Sequence, residues 1–272
     1  MKTSINIILL TLIVTVIQSN PVQALNTDNK HSFKFGLEAG YFNYEEPGLM
    51  EEKGDLYGVF SEYRYGFRGE GWLVPDMVIL DGNIKMGEVD YSNYQGRGKD
   101  GVDDFIAEVR MILGKRYQLT NATLVTPYAG IGFRYLDDAF DENIKATGRY
   151  GYERESHYWY VPLGIKSRTN FSSGWSIGAT AEFDVFLGGY QKSHLSDAGF
   201  GDPDIKNDQD DGYGVRGSLE FLKKINSFSF LLEPYARWWS IENSSPIYFN
   251  RGVFLEPGNE SIELGVRVGV EF

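Results

Sequence analysis

Three histidines and no cysteine occur in the 272 residues, so acid–base or metal chemistry must draw on few imidazoles and on 38 carboxylates. Glu155-Ser156-His157 sets an acid two residues before an imidazole, a spacing at which a carboxylate can orient a general base. His194 lies in GGYQKSHLSD, where Lys192 holds that same relative position, and a cation there cannot play the orienting part. Glu88-Val89-Asp90 provides paired acids at i, i+2 spacing, and His31 stands apart near the start of the chain. Hard oxygen ligands are densest in DPDIKNDQDDG, where Asp202, Asp204, Asp208 and Asp210 make calcium the one cofactor to consider. The EF-hand spacing fails, because Gly212 is misplaced relative to Asp208 and no glutamate closes the loop at its twelfth position. A solvated acidic loop is the competing reading.

What must position these residues follows from the pattern of the rest. Residues 1–24 carry Lys2, the apolar run INIILLTLIVTVI and the small-residue site VQA, which is the pattern of a cleavable signal peptide and leaves 25–272 as one domain. No later run approaches the roughly 20 apolar residues of a membrane-spanning helix. The acidic balance, net −12, argues against nucleic acid as a partner, and without cysteine there is no disulfide framework. Period-two alternation divides 25–272 into ten runs, near 32–44, 54–66, 77–88, 103–114, 124–136, 156–168, 174–187, 212–223, 228–240 and 261–272. In the fourth, Phe105, Ala107, Val109, Met111 and Leu113 alternate with residues that include Glu108 and Arg110. The fold class expected is therefore all-β, a closed antiparallel transmembrane barrel of ten strands, since closure leaves no backbone edge unpaired in lipid. Pro127, Pro162 and Pro234 fall inside these runs and oppose the assignment locally.

With ten strands both termini are periplasmic, and segments near 45–53, 89–102, 137–155, 188–211 and 241–260 become external loops that carry almost all of the excess negative charge. The polar parity places Lys34, Glu38, Glu62, Arg64, Glu108, Arg110, Arg134, Glu182, Arg216, Glu220, Glu233, Arg237, Glu263 and Arg267 inside. Acids and bases nearly balance, which predicts an ion-pair network filling a narrow lumen rather than a wide pore. The aromatic-rich stretch GRYGYERESHYWYVP, with Tyr150, Tyr152, Tyr158 and Trp159, reads first as a headgroup-level girdle and second as a contact surface.

Taken with the leader and the ten amphipathic runs, the ending GVRVGVEF resembles that of bacterial outer-membrane β-barrel proteins. That resemblance implies Phe272 as a signal for the barrel-assembly machinery, lipopolysaccharide as surroundings, and a monomer. Among ten-stranded barrels the nearest architectures are the omptin proteases and related adhesins. Omptins pair acids in the second external loop with an Asp-x-His in the fourth. Here Glu88 and Asp90 match the first element and His194 the histidine, whereas Lys192 breaks the second, and Glu155-Ser156-His157 lies in the third loop. The expectation is a structural or surface-interaction role through acidic loops, with a small channel and an omptin-like rim hydrolase as alternatives.

Overall fold

The computed structural model describes residues 30–96, 98–139, 152–196, 203–249 and 252–272. The expected signal peptide, Tyr150 and Asp202 lie outside them. The strands, in chain order, are β1 (His31–Glu46), β2 (Met50–Gly66), β3 (Met77–Asn93), β4 (Gly98–Gly114), β5 (Tyr117–Gln118), β6 (Thr123–Asp138), β7 (Arg154–Asn170), β8 (Trp175–Ser193), β9 (Ile205–Gln209), β10 (Gly212–Ile225), β11 (Phe228–Ile241), β12 (Ile247–Phe249), β13 (Gly252–Phe254) and β14 (Asn259–Glu271). Ten of them close a ring in the order β1-β2-β3-β4-β6-β7-β8-β10-β11-β14, with β14 returning to β1 and every pair antiparallel. Each of the ten sequence runs lies on one of these strands. Closure satisfies the backbone of all ten, which an open sheet could not do in hydrocarbon.

Alternation then sorts the side chains. Leu37, Val59, Leu80, Val109, Leu163, Phe183, Leu219, Leu232 and Val268 point outward and are exposed, a surface suited to lipid. Pro127 and Pro234 also point outward, whereas Pro162 is buried and follows the β7–β8 bulge at Trp159/Tyr160. All three are accommodated within strands.

Two expected external loops are corrected. Segments 45–53 and 89–102 are mostly strand, because β1 pairs with β2 out to Glu46↔Met50 and β3 with β4 out to Ser92↔Gly98. In this outer zone the sidedness of the barrel inverts. Phe42, Tyr44, Met50, Leu56, Val89, Val102 and Ile106 pack together inside, while Glu45, Lys53, Glu88 and Asp90 are outward. An apolar interior with a polar exterior is what a water-soluble barrel needs, so the strands continue after the apolar outer stripe has ended.

Candidate functional site: a charge-filled lumen and a histidine on the outer rim

The inward charges meet across the lumen in tiers. At the end of the barrel where β1 begins and β14 ends, Glu62 receives Lys166 at 3.2 Å and Arg64 at 3.1 Å, Lys34 pairs with Glu220, and Arg168 holds Glu220 at 2.6 Å and Glu271 at 2.9 Å. Midway, Arg110 bridges Asp81 and Glu182, each at 2.7 Å, and Arg216 reaches Glu182 at 2.6 Å, Glu108 at 2.7 Å and Asp184 at 3.0 Å. Glu263 collects Lys85, Arg134 at 3.3 Å and Arg237 at 3.7 Å, while Arg267 donates to Glu38 at 2.7 Å and lies 3.9 Å from Glu233. Many of these partners sit on non-adjacent strands, so the pairs cross the interior rather than line its wall. A cavity of about 130 Å³ remains among Lys34, Glu62, Lys166, Arg168 and Glu220.

Aromatic rings complete the filling, which the sequence reading missed. A Cβ on Gly132 would lie 2.2 Å from the Tyr160 ring, and one on Gly164 would lie 2.3 Å from the Tyr128 ring. Each inward ring therefore lies flat over a glycine of the neighbouring strand, with its hydroxyl donating to a lumen acid: Tyr160 to Glu108 and Tyr128 to Glu182. Tyr158, read from sequence as a girdle aromatic, is instead inward and buried, while Trp159 does face outward.

At the outer mouth a single guanidinium serves several acids. Arg154 contacts Glu46 at 2.7 Å, Glu52 at 2.9 Å and Asp138 at 2.7 Å, and Asp104 and Asp138 line the same small recess. Burial, despite Arg154 and with the charge of Asp138 added, raises the Glu52 carboxyl well above its usual range. Burial and the neighbouring charge of Glu46 push Glu256 up to about 8. Gln191 donates to Glu256 at 2.5 Å, tying strand β8 to the segment before β14.

The candidate catalytic residues are gathered only in part: His157 and His194 both approach Glu155, and the paired acids stand apart. Glu88 and Asp90 are outward on β3, four places around the ring from β8, which leads into His194. Asp90 accepts from the backbone of Gly101 on β4 at 3.2 Å, at the β3–β4 register shift between Val89 and Tyr91. Side-chain direction at His194 is set by the bulge in β8. Up to Phe186 the even positions face inward; past Gly188, whose φ of 136° favours glycine, Gln191 and Ser193 are the buried ones. Lys192 and His194 are thereby turned to the outer wall. There His194 Nδ1 lies 3.3 Å from Asp204 Oδ2, and its Nε2 lies 3.5 Å from Glu155 Oε2. The acid beside this imidazole thus comes from ten residues downstream, where i, i+2 spacing offers only Lys192. His157 stacks on Tyr190 with ring centroids 4.4 Å apart, and its Nε2 stands 3.9 Å from Glu155.

The acids considered for calcium are spread along an exposed strand edge. Asp204, Asp208 and Asp210 alternate with the buried Ile205, Asn207 and Gln209, and successive members of one strand face are roughly 7 Å apart. Asp204 accepts from Ser196 at 2.6 Å and Asp208 lies 3.5 Å from Lys206. The three do not converge on one ion.

No protein-family model matches the chain, and no curated protein matches it. Among solved structures, the outer membrane protease OmpT from Escherichia coli superposes with a TM-score of 0.56 at 10% identity, over 90% of this chain and 97% of that one. The translocator domain of the autotransporter NalP from Neisseria meningitidis matches at a TM-score of 0.39 and 11% identity, over 96% of this chain and 94% of that one. The chain shares with OmpT the fold of a ten-stranded closed antiparallel barrel.

Proposed function

We propose that this chain is a bacterial outer-membrane protein that seals its own lumen and works through its external surface, in a structural or adhesin-like role. The observation that supports this reading is the set of ion pairs spanning the interior, above all Arg134 with Glu263 and Arg154 with Glu46. A charge network of this density leaves no continuous wide path, and what remains for interaction is the acidic, strand-built region beyond the apolar belt. Lipopolysaccharide surrounds that region, the barrel is a monomer, and Phe272 is read by the assembly machinery.

Planar-bilayer recording tests the seal. The expected trace has no unitary steps; stable steps that persist when the outer segments are mutated would overturn it in favour of a small channel. The hydrolase alternative has less support, because Glu88 and Asp90 face away from His194. Refolded protein in lipopolysaccharide should leave basic peptides intact, and cleavage abolished by His194→Ala would reverse that ordering.

A further inference from the structure

We propose that His194, Glu155 and Glu153 form a site for a divalent transition-metal ion on the outer wall of the barrel, above the apolar belt. Ligand atoms of the three residues all lie within 4.8 Å of one another. Bound to zinc at about 2.0–2.2 Å, tetrahedral nitrogen and oxygen ligands sit roughly 3.3–3.5 Å apart. The His194 Nε2 to Glu155 Oε2 separation, 3.5 Å, already has that value, and closing the remainder asks for about an ångström of movement by a glutamate side chain.

Proximity alone would not carry the assignment, since acids often cluster on surfaces. The orientation of the imidazole does. Its Nδ1 faces Asp204, and Asp204 is itself fixed by the hydroxyl of Ser196 at 2.6 Å. With the ion bound, Asp204 is placed to take the N–H of Nδ1 and leave the lone pair on Nε2, the arrangement in which histidine ligates. The other nitrogen, Nε2, is buried and has no hydrogen-bond partner, although a carboxylate oxygen stands in front of it. A lone pair facing an anion is repulsive; a cation placed between them removes the repulsion and satisfies both. Lys192 Nζ, a donor, lies 3.5 Å from Nδ1 and 3.7 Å from Asp204 Oδ2, so loading the ion requires the ammonium to move onto Asp204 and give up Nδ1; it does not occupy the gap at Nε2. One nitrogen with two carboxylates suits zinc and its first-row neighbours better than calcium, which takes oxygen alone.

The backbone is ready for such a clip. His194 N donates to the carbonyl of Glu153 at 3.0 Å, so the ion would pin the start of β7 to the segment leaving β8. This site is independent of the sealed-lumen reading, since its residues are all outward.

Zinc titration of the refolded full-length protein in detergent micelles, followed by calorimetry, provides the test, with circular dichroism confirming that each variant is folded. Wild type should take up one equivalent saturably. His194→Ala and Glu155→Gln should each weaken binding at least tenfold, Asp204→Asn by about 10–100-fold through lost orientation, and Asp208→Asn should leave it unchanged. Absence of saturable uptake by wild type, or equal affinity in folded His194→Ala, overturns the proposal. In that event the cluster is an ordinary surface contact of one imidazole with Glu155 and Asp204.

Discussion

Arg134 and Glu263 lie on β6 and β14, five places apart in a ring of ten, and their side chains meet at 3.3 Å in the middle of the barrel. Glu263 also accepts from Lys85 and faces Arg237, so one carboxylate balances three cations drawn from three other strands. The cost of desolvating such charges is offset only while every partner is present.

Glu263→Gln should therefore destabilise the barrel by roughly 3–5 kcal/mol, because it strands buried cations instead of merely deleting one attraction. Urea unfolding in micelles, monitored by tryptophan fluorescence, measures the loss. A change below about 1 kcal/mol would show that water enters the network and screens it.

Close packing of rings on glycines makes a second expectation. Gly132→Ala should cost about 1–3 kcal/mol, since its Cβ would overlap the buried Tyr160 ring, which has nowhere to move. Gly217→Ala is the matched control: its Cβ would meet nothing closer than 3.6 Å, so the same unfolding assay should shift by less than about 0.5 kcal/mol.

Glu256 gives a pH dependence with a definite sign. Its folded pKa of about 8 lies above the unfolded value near 4.3, so the folded state holds an extra proton between them. The stability from this group is fully present below about pH 4.3 and is lost as pH rises through 8. Glu256→Gln, which cannot ionise, should be more stable than wild type at pH 9 by more than about 1.4 kcal/mol, the equivalent of one pKa unit. Stability curves at pH 5 and pH 9 for both proteins should differ in slope, and parallel curves would count against a raised Glu256.

For Phe272 the proposed role in assembly can be separated from stability. Its ring is exposed, nearly parallel to Phe35 with centroids 6.1 Å apart, and its backbone donates to Phe33 at 2.9 Å. The backbone bond survives substitution. Phe272→Ala should thus lower the amount of barrel delivered to the outer membrane several-fold while leaving the unfolding midpoint of refolded protein within error of wild type; an equal loss in both assays would make the residue structural.

The ten strands were legible because the outer face is apolar at every second position for long enough to count, as at Val109, Met111 and Leu113. The inward charges followed from the same parity. Strand ends were not legible, since Asn43, Glu45 and Lys53 break the apolar stripe although the ladder continues, and a polar run reads as loop in a sequence. The surroundings of His194 were hidden for two physical reasons. A one-residue bulge at Gly188 reverses which side chains face out, and the acid beside the imidazole arrives through the fold, from Asp204. Inward rings such as Tyr128 and Tyr160 carried no sign of direction, because aromatics suit a headgroup girdle and a glycine cradle alike.

The exchange of apolar and polar faces near Phe42, Leu56, Val89 and Ile106 has a mechanical meaning. Sliding the molecule along the membrane normal in one direction would bring Glu45, Lys53 and Glu88 into hydrocarbon; in the other it would lift Leu37, Val59 and Leu80 into water. Both displacements are opposed. The barrel thus carries its own waterline, and the depth at which it floats is written on the wall.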